Sequence, residues 1–257
     1  MPTRDTPWPA GTPCWVDLSV PDVKAATEFY GPVMGWTFTD TGAEYGHYHM
    51  CQVGDRVAAA IGPLQQPGQP VAWTVFLASD DADATAKLVA ENGGTVIVEP
   101  FDIGDQGRIL VALDNTGGAF GVWQAKAAIG ANIANEPGSL AWEDARLTDP
   151  EAGKRFYTAV FGYTYEPIPD APPDYGLFKV NGEIAGGLGG MMGAPDGTPS
   201  HWVAYFSVAD VDAAVAAVER GGGSVQQAPT DTPYGRMAFV TDPFGAAFAL
   251  AGSLEGS

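Results

Sequence analysis

Apolar and polar positions along the chain follow two periods, and they alternate in blocks. Residues 14–20 (CWVDLSV) read as a strand with Asp17 at its centre, and the chain then turns into a helix over about 22–33 with Asp22 as N-cap. Alternating stretches at about 46–53 and 56–61 predict two further strands. A new strand, VAWTVFLAS (71–79), leads to a helix over 81–91 that ends at Asn92-Gly93-Gly94, and strands follow near 95–99, 108–113 and 119–124. Later, Val211, Ala214, Val215 and Val218 stand at i, i+3, i+4 and i+7 of a helix over 210–220, ended by Gly221-Gly222-Gly223. Asp149-Pro150 supplies N-cap and N1 for another helix.

The blocks repeat. Gly11 and Gly138, Trp15 and Trp142, Asp17 and Asp144, Phe29-Tyr30 and Phe156-Tyr157, and Gly35 and Gly162 all differ by 127 positions. Trp73 and Trp202 differ by 129, and so do Gly93 and Gly222; Arg108 and Arg236, and Asp114 and Asp242, differ by 128. Such small drifts mean that loops changed length while elements stayed, so the chain is a tandem duplication joined by residues 130–138. Each half again reads as two similar units, strand, helix, strands. That order predicts an α+β fold of curled, antiparallel-rich sheets with helices outside.

Length and composition narrow the function classes. The 257 residues suffice for two domains with their own cores, and 46% apolar against 17% charged residues describes a globular protein. Twelve Lys+Arg against 31 Asp+Glu give a net charge of −19, which repels phosphate backbones and anionic lipid and argues against nucleic-acid and membrane partners. Neither a secretory leader nor an apolar run of about 20 residues is readable. Two cysteines, Cys14 and Cys51, are too few for a disulfide framework. A cytoplasmic protein with free thiols, monomeric or homodimeric, is the expectation.

The stretch LSVPDVKAATEFYGPVMGW (18–36) and its copy LTDPEAGKRFYTAVFGY (147–163), with Phe-Tyr late in the helix and Gly before an aromatic residue, resemble the glyoxalase/bleomycin-resistance/dioxygenase superfamily, the vicinal oxygen chelate proteins. FVTDPFGAAFAL (239–250) is similar to that family's closing Asp-Pro-x-Gly hairpin, and LDNTGGAFGV (113–122) is a weaker counterpart. The resemblance covers about residues 11–125 and 138–251 and implies two glyoxalase-like domains, each of two βαβββ units curled into a cup around a ligand. The two-domain plan is similar to actinobacterial glyoxalase-like proteins, some of which assist secondary metabolism. The scaffold hosts enzymes and plain binders alike.

Metal-dependent members of that family hold a divalent ion through His, Gln or Glu, one ligand lying on the opening strand of a unit. The corresponding places here are Trp15, Thr74, Trp142 and Val203. The closing strands over 56–64 and 184–192 carry no Asp, Glu or His, and the aligned places on the other two are Gly121 and Ala249. The expectation is therefore no metal and no cofactor. Alternation puts His47, His49 and Cys51 on one strand face, but the second half (DYGLFK, 174–179) has neither histidine, and even a catalytic zinc usually takes three protein ligands.

If position 15 faces the cup, as the resemblance implies, so do Asp17 and Ser19, and in the second half Trp142, Asp144 and Arg146. Indoles offer a platform for stacking, and the carboxylates offer an acceptor or a general base. Arg108, Arg236 and Tyr175 complete the expected lining. Alternatively, Asp17 and Asp144 pair with Arg108 and Arg236 and only fix strands. Trp73 and Trp202, one off that parity, are expected beneath the helices. Three functions follow in order: metal-independent binding of an aromatic or apolar small molecule, accessory or sequestering in secondary metabolism; a metal-free enzyme of lyase, isomerase or hydroxylation type with Asp17 or Asp144 as base, assisted by His47 or His49; and a metal-dependent glyoxalase I.

Overall fold

The computed structural model describes residues 3–169 and 171–252. In the first half, β1 (Pro13–Val20), α1 (Val23–Met34), β2 (Thr37–Asp40), β3 (His49–Val53) and β4 (Arg56–Pro63) form one βαβββ unit. The next unit is β5 (Trp73–Ala78), α2 (Ala82–Glu91), β6 (Thr95–Ile103), β7 (Gly107–Leu113) and β8 (Ala119–Ala125). The second half repeats both, first as β9 (Leu140–Arg146), α3 (Pro150–Phe161), β10 (Thr164–Pro167), β11 (Gly176–Val180) and β12 (Glu183–Gly189). Its last unit is β13 (His201–Val208), α4 (Val211–Arg220), β14 (Ser224–Thr232), β15 (Gly235–Thr241) and β16 (Ala247–Gly252).

One device starts all four helices. Asp22, Asp81, Asp149 and Asp210 accept the backbone N–H three residues on, at 2.9–3.0 Å, a cap contributing about 1 kcal/mol each. Gly35 and Gly162 close α1 and α3 at φ of 74° and 72°, where a Cβ is strained. The four-residue strands β2 and β10 had no separate sign in the sequence, because they are short and mostly exposed.

Each half is one eight-stranded sheet, ordered β2-β3-β4-β1-β5-β8-β7-β6 and β10-β11-β12-β9-β13-β16-β15-β14. The first and last strand of every unit pair in parallel, and all other neighbours are antiparallel. The helices lie on one face of their sheet, outside its cup as expected, and the two helix-bearing faces meet. The helix-free face of each sheet is thus turned away from the other half and is its outer face. Where the helix-bearing faces meet, α1 packs against α4 and α2 against α3, and one core cluster draws on both halves. Trp73 and Trp202 are buried in it.

Repeated residues fasten this seam. The Tyr30 hydroxyl donates to Asp242 at 3.0 Å, and the Tyr157 hydroxyl donates to Asp114 at 2.9 Å. Each aspartate also accepts two N–H groups of its own hairpin turn. Trp36 Nε1 donates to the Gly138 carbonyl and the Tyr163 hydroxyl to that of Gly11, both at 2.6 Å. The motifs that carry the family resemblance are thus largely the means by which one half grips the other. Among the described residues no helix is long and apolar enough to cross a membrane.

Candidate functional site

With the helix-side positions of β1 occupied by Val16, Leu18 and Val20, strand alternation sends Trp15, Asp17 and Ser19 to the opposite face. Across the antiparallel pair, Thr74 stands beside Asp17 and Phe76 beside Trp15. Tyr48 completes a constellation: its hydroxyl donates to Asp17 Oδ2 at 2.7 Å and accepts from Trp15 Nε1 at 3.4 Å. Gly62 makes room for it, since a Cβ there would lie 2.6 Å from the Tyr48 ring. No cation pairs with Asp17 among the described residues. Burial pushes its carboxyl up to about 6, and hydrogen bonds from Tyr48 and Thr74 oppose that rise only in part.

The second half holds the same three residue types. Asp144 Oδ1 accepts from Trp142 Nε1 and from the Tyr175 hydroxyl, both at 2.8 Å, and Gly189 stands under the Tyr175 ring as Gly62 does under Tyr48. Here two groups are added. The Tyr205 hydroxyl donates to Asp144 Oδ2 at 2.7 Å, and the Arg146 guanidinium reaches the same oxygen at 3.2 Å and the Tyr205 hydroxyl at 2.7 Å. Arg146 also lies over the Phe239 ring at 5.6 Å, and its Nε is buried with no partner among the described residues.

Other expected lining residues are elsewhere. His47 occupies a left-handed turn (φ 57°), is exposed, and pairs through Nδ1 with Asp40 at 3.0 Å. That turn resets the alternation, so Tyr48 and Met50 take the outward face while Cys51 is sealed in the helix-side core. His49, with the parity of Cys51, holds the His47 carbonyl through Nδ1 at 2.8 Å. The expected shared face for the two histidines is therefore corrected, and neither hydrogen-bonds Asp17. Arg108 and Arg236 lie on the helix side of β7 and β15, with Leu110 and Ala238. They grip the first turns of α2 and α4 through Asp83 and Asp212 at 2.7–2.9 Å. They neither line the outer face nor pair with Asp17 or Asp144. Among the described residues, the strand-fixing ion pair is formed in the second half alone, with Arg146 in place of Arg236.

Tyr175 was expected in the lining, whereas Tyr48 and Tyr205 were not. Tyr48 and Tyr175 share the 127-residue offset, which signals a common role. Tyr205 aligns with Phe76 at the offset of 129, so the copy has gained a hydroxyl that only the tertiary structure connects to Asp144.

The outer faces also bear on metal binding. The strand positions that hold the ion in metal-dependent relatives carry Trp15, Thr74, Trp142 and Val203, with Gly121 and Ala249 on the parallel partners of β5 and β13. Indole, hydroxyl and alkyl groups are poor ligands for a divalent ion. Among the described residues, no three His, Cys, Asp or Glu side chains are grouped to hold one. These residues do not fit a metal.

The glyoxalase/bleomycin resistance protein/dioxygenase superfamily profile matches residues 14–122 and 139–250, and the chain belongs to this family. It is 38% identical to CFP32 of Mycobacterium tuberculosis, provisionally named a glyoxylase, over 97% of both chains. To the anthracycline biosynthesis protein DnrV of Streptomyces peucetius it is 36% identical, over 96% of this chain and 94% of that one. The Mn(II)-bound glyoxalase of Novosphingobium aromaticivorans shares the fold, with a TM-score of 0.66 at 16% identity over 96% of this chain and 83% of that one. The 2,3-dioxygenase LapB of Pseudomonas sp. KL28 shares it too, with a TM-score of 0.64 at 14% identity over 96% and 94%.

Proposed function

We propose that the protein binds a planar aromatic or apolar small molecule without a metal, at the outer faces that carry the Trp–Asp–Tyr constellations. The observation that carries this is the recurrence of that constellation at the family's ligand-binding face, with indoles in place of metal ligands. A half-buried Trp142 beside Tyr175 offers an aromatic wall, and Asp144 is an acceptor already oriented. The first face is the tighter one, because Trp15 is only 7% exposed among Phe76, Met50 and Trp123. Relatives named as anthracycline biosynthesis proteins support an accessory or sequestering role toward polycyclic aromatic metabolites. Titration with 1,4-dihydroxyanthraquinone should quench tryptophan fluorescence saturably, and Trp142→Ala should remove most of the response. Binding unchanged in that variant sinks the assignment, as does one equivalent of divalent metal per half in the purified protein.

A second reading, a metal-free enzyme, rests on Asp17. A carboxyl at about 6 with no cation beside it is poised to take a proton near neutrality, whereas Arg146 holds Asp144 as an ion pair. In that case Asp17→Asn removes turnover and leaves affinity nearly intact. Loss of affinity with retained turnover excludes Asp17 as base.

A further inference from the structure

Glu143 breaks the duplication. Its copy is Val16, fully buried in the core, and both lie one position before the aspartate of their strand, on the helix side. A carboxyl at such a place either meets a partner or holds its proton, because an unpaired buried charge is costly. Glu143 is 8% exposed, and no hydrogen bond reaches its carboxyl among the described residues. It lines a cavity of about 220 Å³ between the two halves, at the starts of β1 and β9. Trp8, Trp142, Leu140 and Ile184 give this cavity apolar walls, and Asn135 a polar one. The cavity shares the Trp142 indole with the second constellation, but Asp17, Asp144, Tyr48 and Tyr175 are all absent from its walls.

Among the described residues, the surroundings of Glu143 contain no free cation. Acting on it are the Cys14 thiol from β1, Tyr163 beyond α3, whose hydroxyl is committed to Gly11, and, from the opposite face of its own strand, the Asp144 carboxylate. The Arg4 guanidinium lies over the Trp8 ring at 4.9 Å, where the Thr6 and Pro7 carbonyls hold it. An unpaired carboxyl, indole faces and a net charge of −19 all favour a positively charged guest. The volume sets its size, since a cavity of about 150 Å³ already holds benzene. We propose that this cavity binds a small organic ammonium ion, a single ring bearing a primary amine, paired with Glu143 between Trp8 and Trp142.

Binding has a proton signature. Burial, with the neighbouring Asp144 charge, pushes the Glu143 carboxyl up to about 8, which favours the protonated acid at pH 7. The ammonium keeps its own proton and pairs with the carboxylate, and the Glu143 proton leaves to the buffer. Calorimetric titration with benzylamine at pH 7, in phosphate and in Tris, should give one saturable site per chain. Its heat should differ between the buffers by close to one proton released. Benzyl alcohol, of the same shape without charge, should bind at least about tenfold more weakly. Glu143→Gln should weaken benzylamine at least about tenfold and abolish the buffer dependence, and Asp17→Asn should change neither. Glu143→Val, the residue of the first-half copy, provides a second variant whose melting curve reports that the fold is intact. Equal binding of amine and alcohol, wild-type binding in folded Glu143 variants, or no saturation by benzylamine each overturns the proposal. Glu143→Gln should leave the anthraquinone quenching at the outer faces unchanged, so failure of the ammonium site and failure of the outer-face reading are distinguishable.

Discussion

Asp17 and Asp144 occupy the same place in two copies of one fold, yet their surroundings differ. Asp17 has a tyrosine and a threonine beside it and no cation, and burial pushes its carboxyl up to about 6. Asp144 accepts from an indole and two tyrosines and is paired with Arg146 on the neighbouring outward position. Two substitutions account for the change. Ser19 became Arg146, or the reverse, and Phe76 corresponds to Tyr205. An arginine supplies the compensating charge and a phenol bridges it to the carboxylate, so the second copy carries a fixed ionic network where the first keeps a titratable acid. A duplicated scaffold thus carries a buried acid without a cationic partner among the described residues in one half and a hydrogen-bonded ion pair in the other.

That contrast can be broken most sharply at the cation. Arg146→Met should destabilise the protein by about 3–5 kcal/mol in denaturant unfolding, because Asp144 is then buried unpaired. A variant as stable as the wild type would show that the network contributes nothing and that the halves are equivalent. The seam tyrosines test where the copies ought to agree. Tyr30→Phe and Tyr157→Phe should each cost about 1–3 kcal/mol, and the two values should match, since each strips one hydrogen bond from a buried hairpin aspartate.

A third test uses pH. The folded carboxyl of Asp17 lies above its ordinary value, so its contribution to stability is complete below about pH 4 and is lost as pH rises through about 6. Replacing it by Asn removes that dependence. The stability difference between Asp17→Asn and wild type should therefore move by on the order of 2 kcal/mol in favour of the variant between pH 4 and 7, after discounting for partial exposure. A flat difference would mean that Asp17 ionises as freely as in the unfolded chain. The smallest effect belongs to the surface clamps. Arg108→Gln and Arg236→Gln should scarcely shift the melting temperature, equally in both halves, and the shift should fade in high salt.

Much of this molecule was legible in its sequence, for identifiable reasons. The four helix starts each carry an aspartate whose cap is made within three residues, so no distant information was needed. The outward parity of Trp15 and Asp17 follows from strand alternation, which is also local. The histidines were misplaced because one left-handed residue, His47, shifts the parity of the strand that follows. Arg108 and Arg236 were misassigned because their aspartate partners, Asp83 and Asp212, lie about 25 residues back on a helix, and nothing in the spacing distinguishes these from Asp17 and Asp144.

By itself the sequence determined the duplication, the βαβββ order, the faces of the opening strands and the lack of metal-binding side chains at the expected places. These rest on short-range periodicity, capping and residue chemistry. Only the tertiary structure decided which arginine meets which carboxylate, that the repeated Tyr, Gly and Asp residues clasp opposite halves, and that Glu143 faces a cavity between them. Such pairings depend on how two sheets pack across more than a hundred residues of chain, and side-chain identity leaves several partners chemically equivalent until that packing selects one.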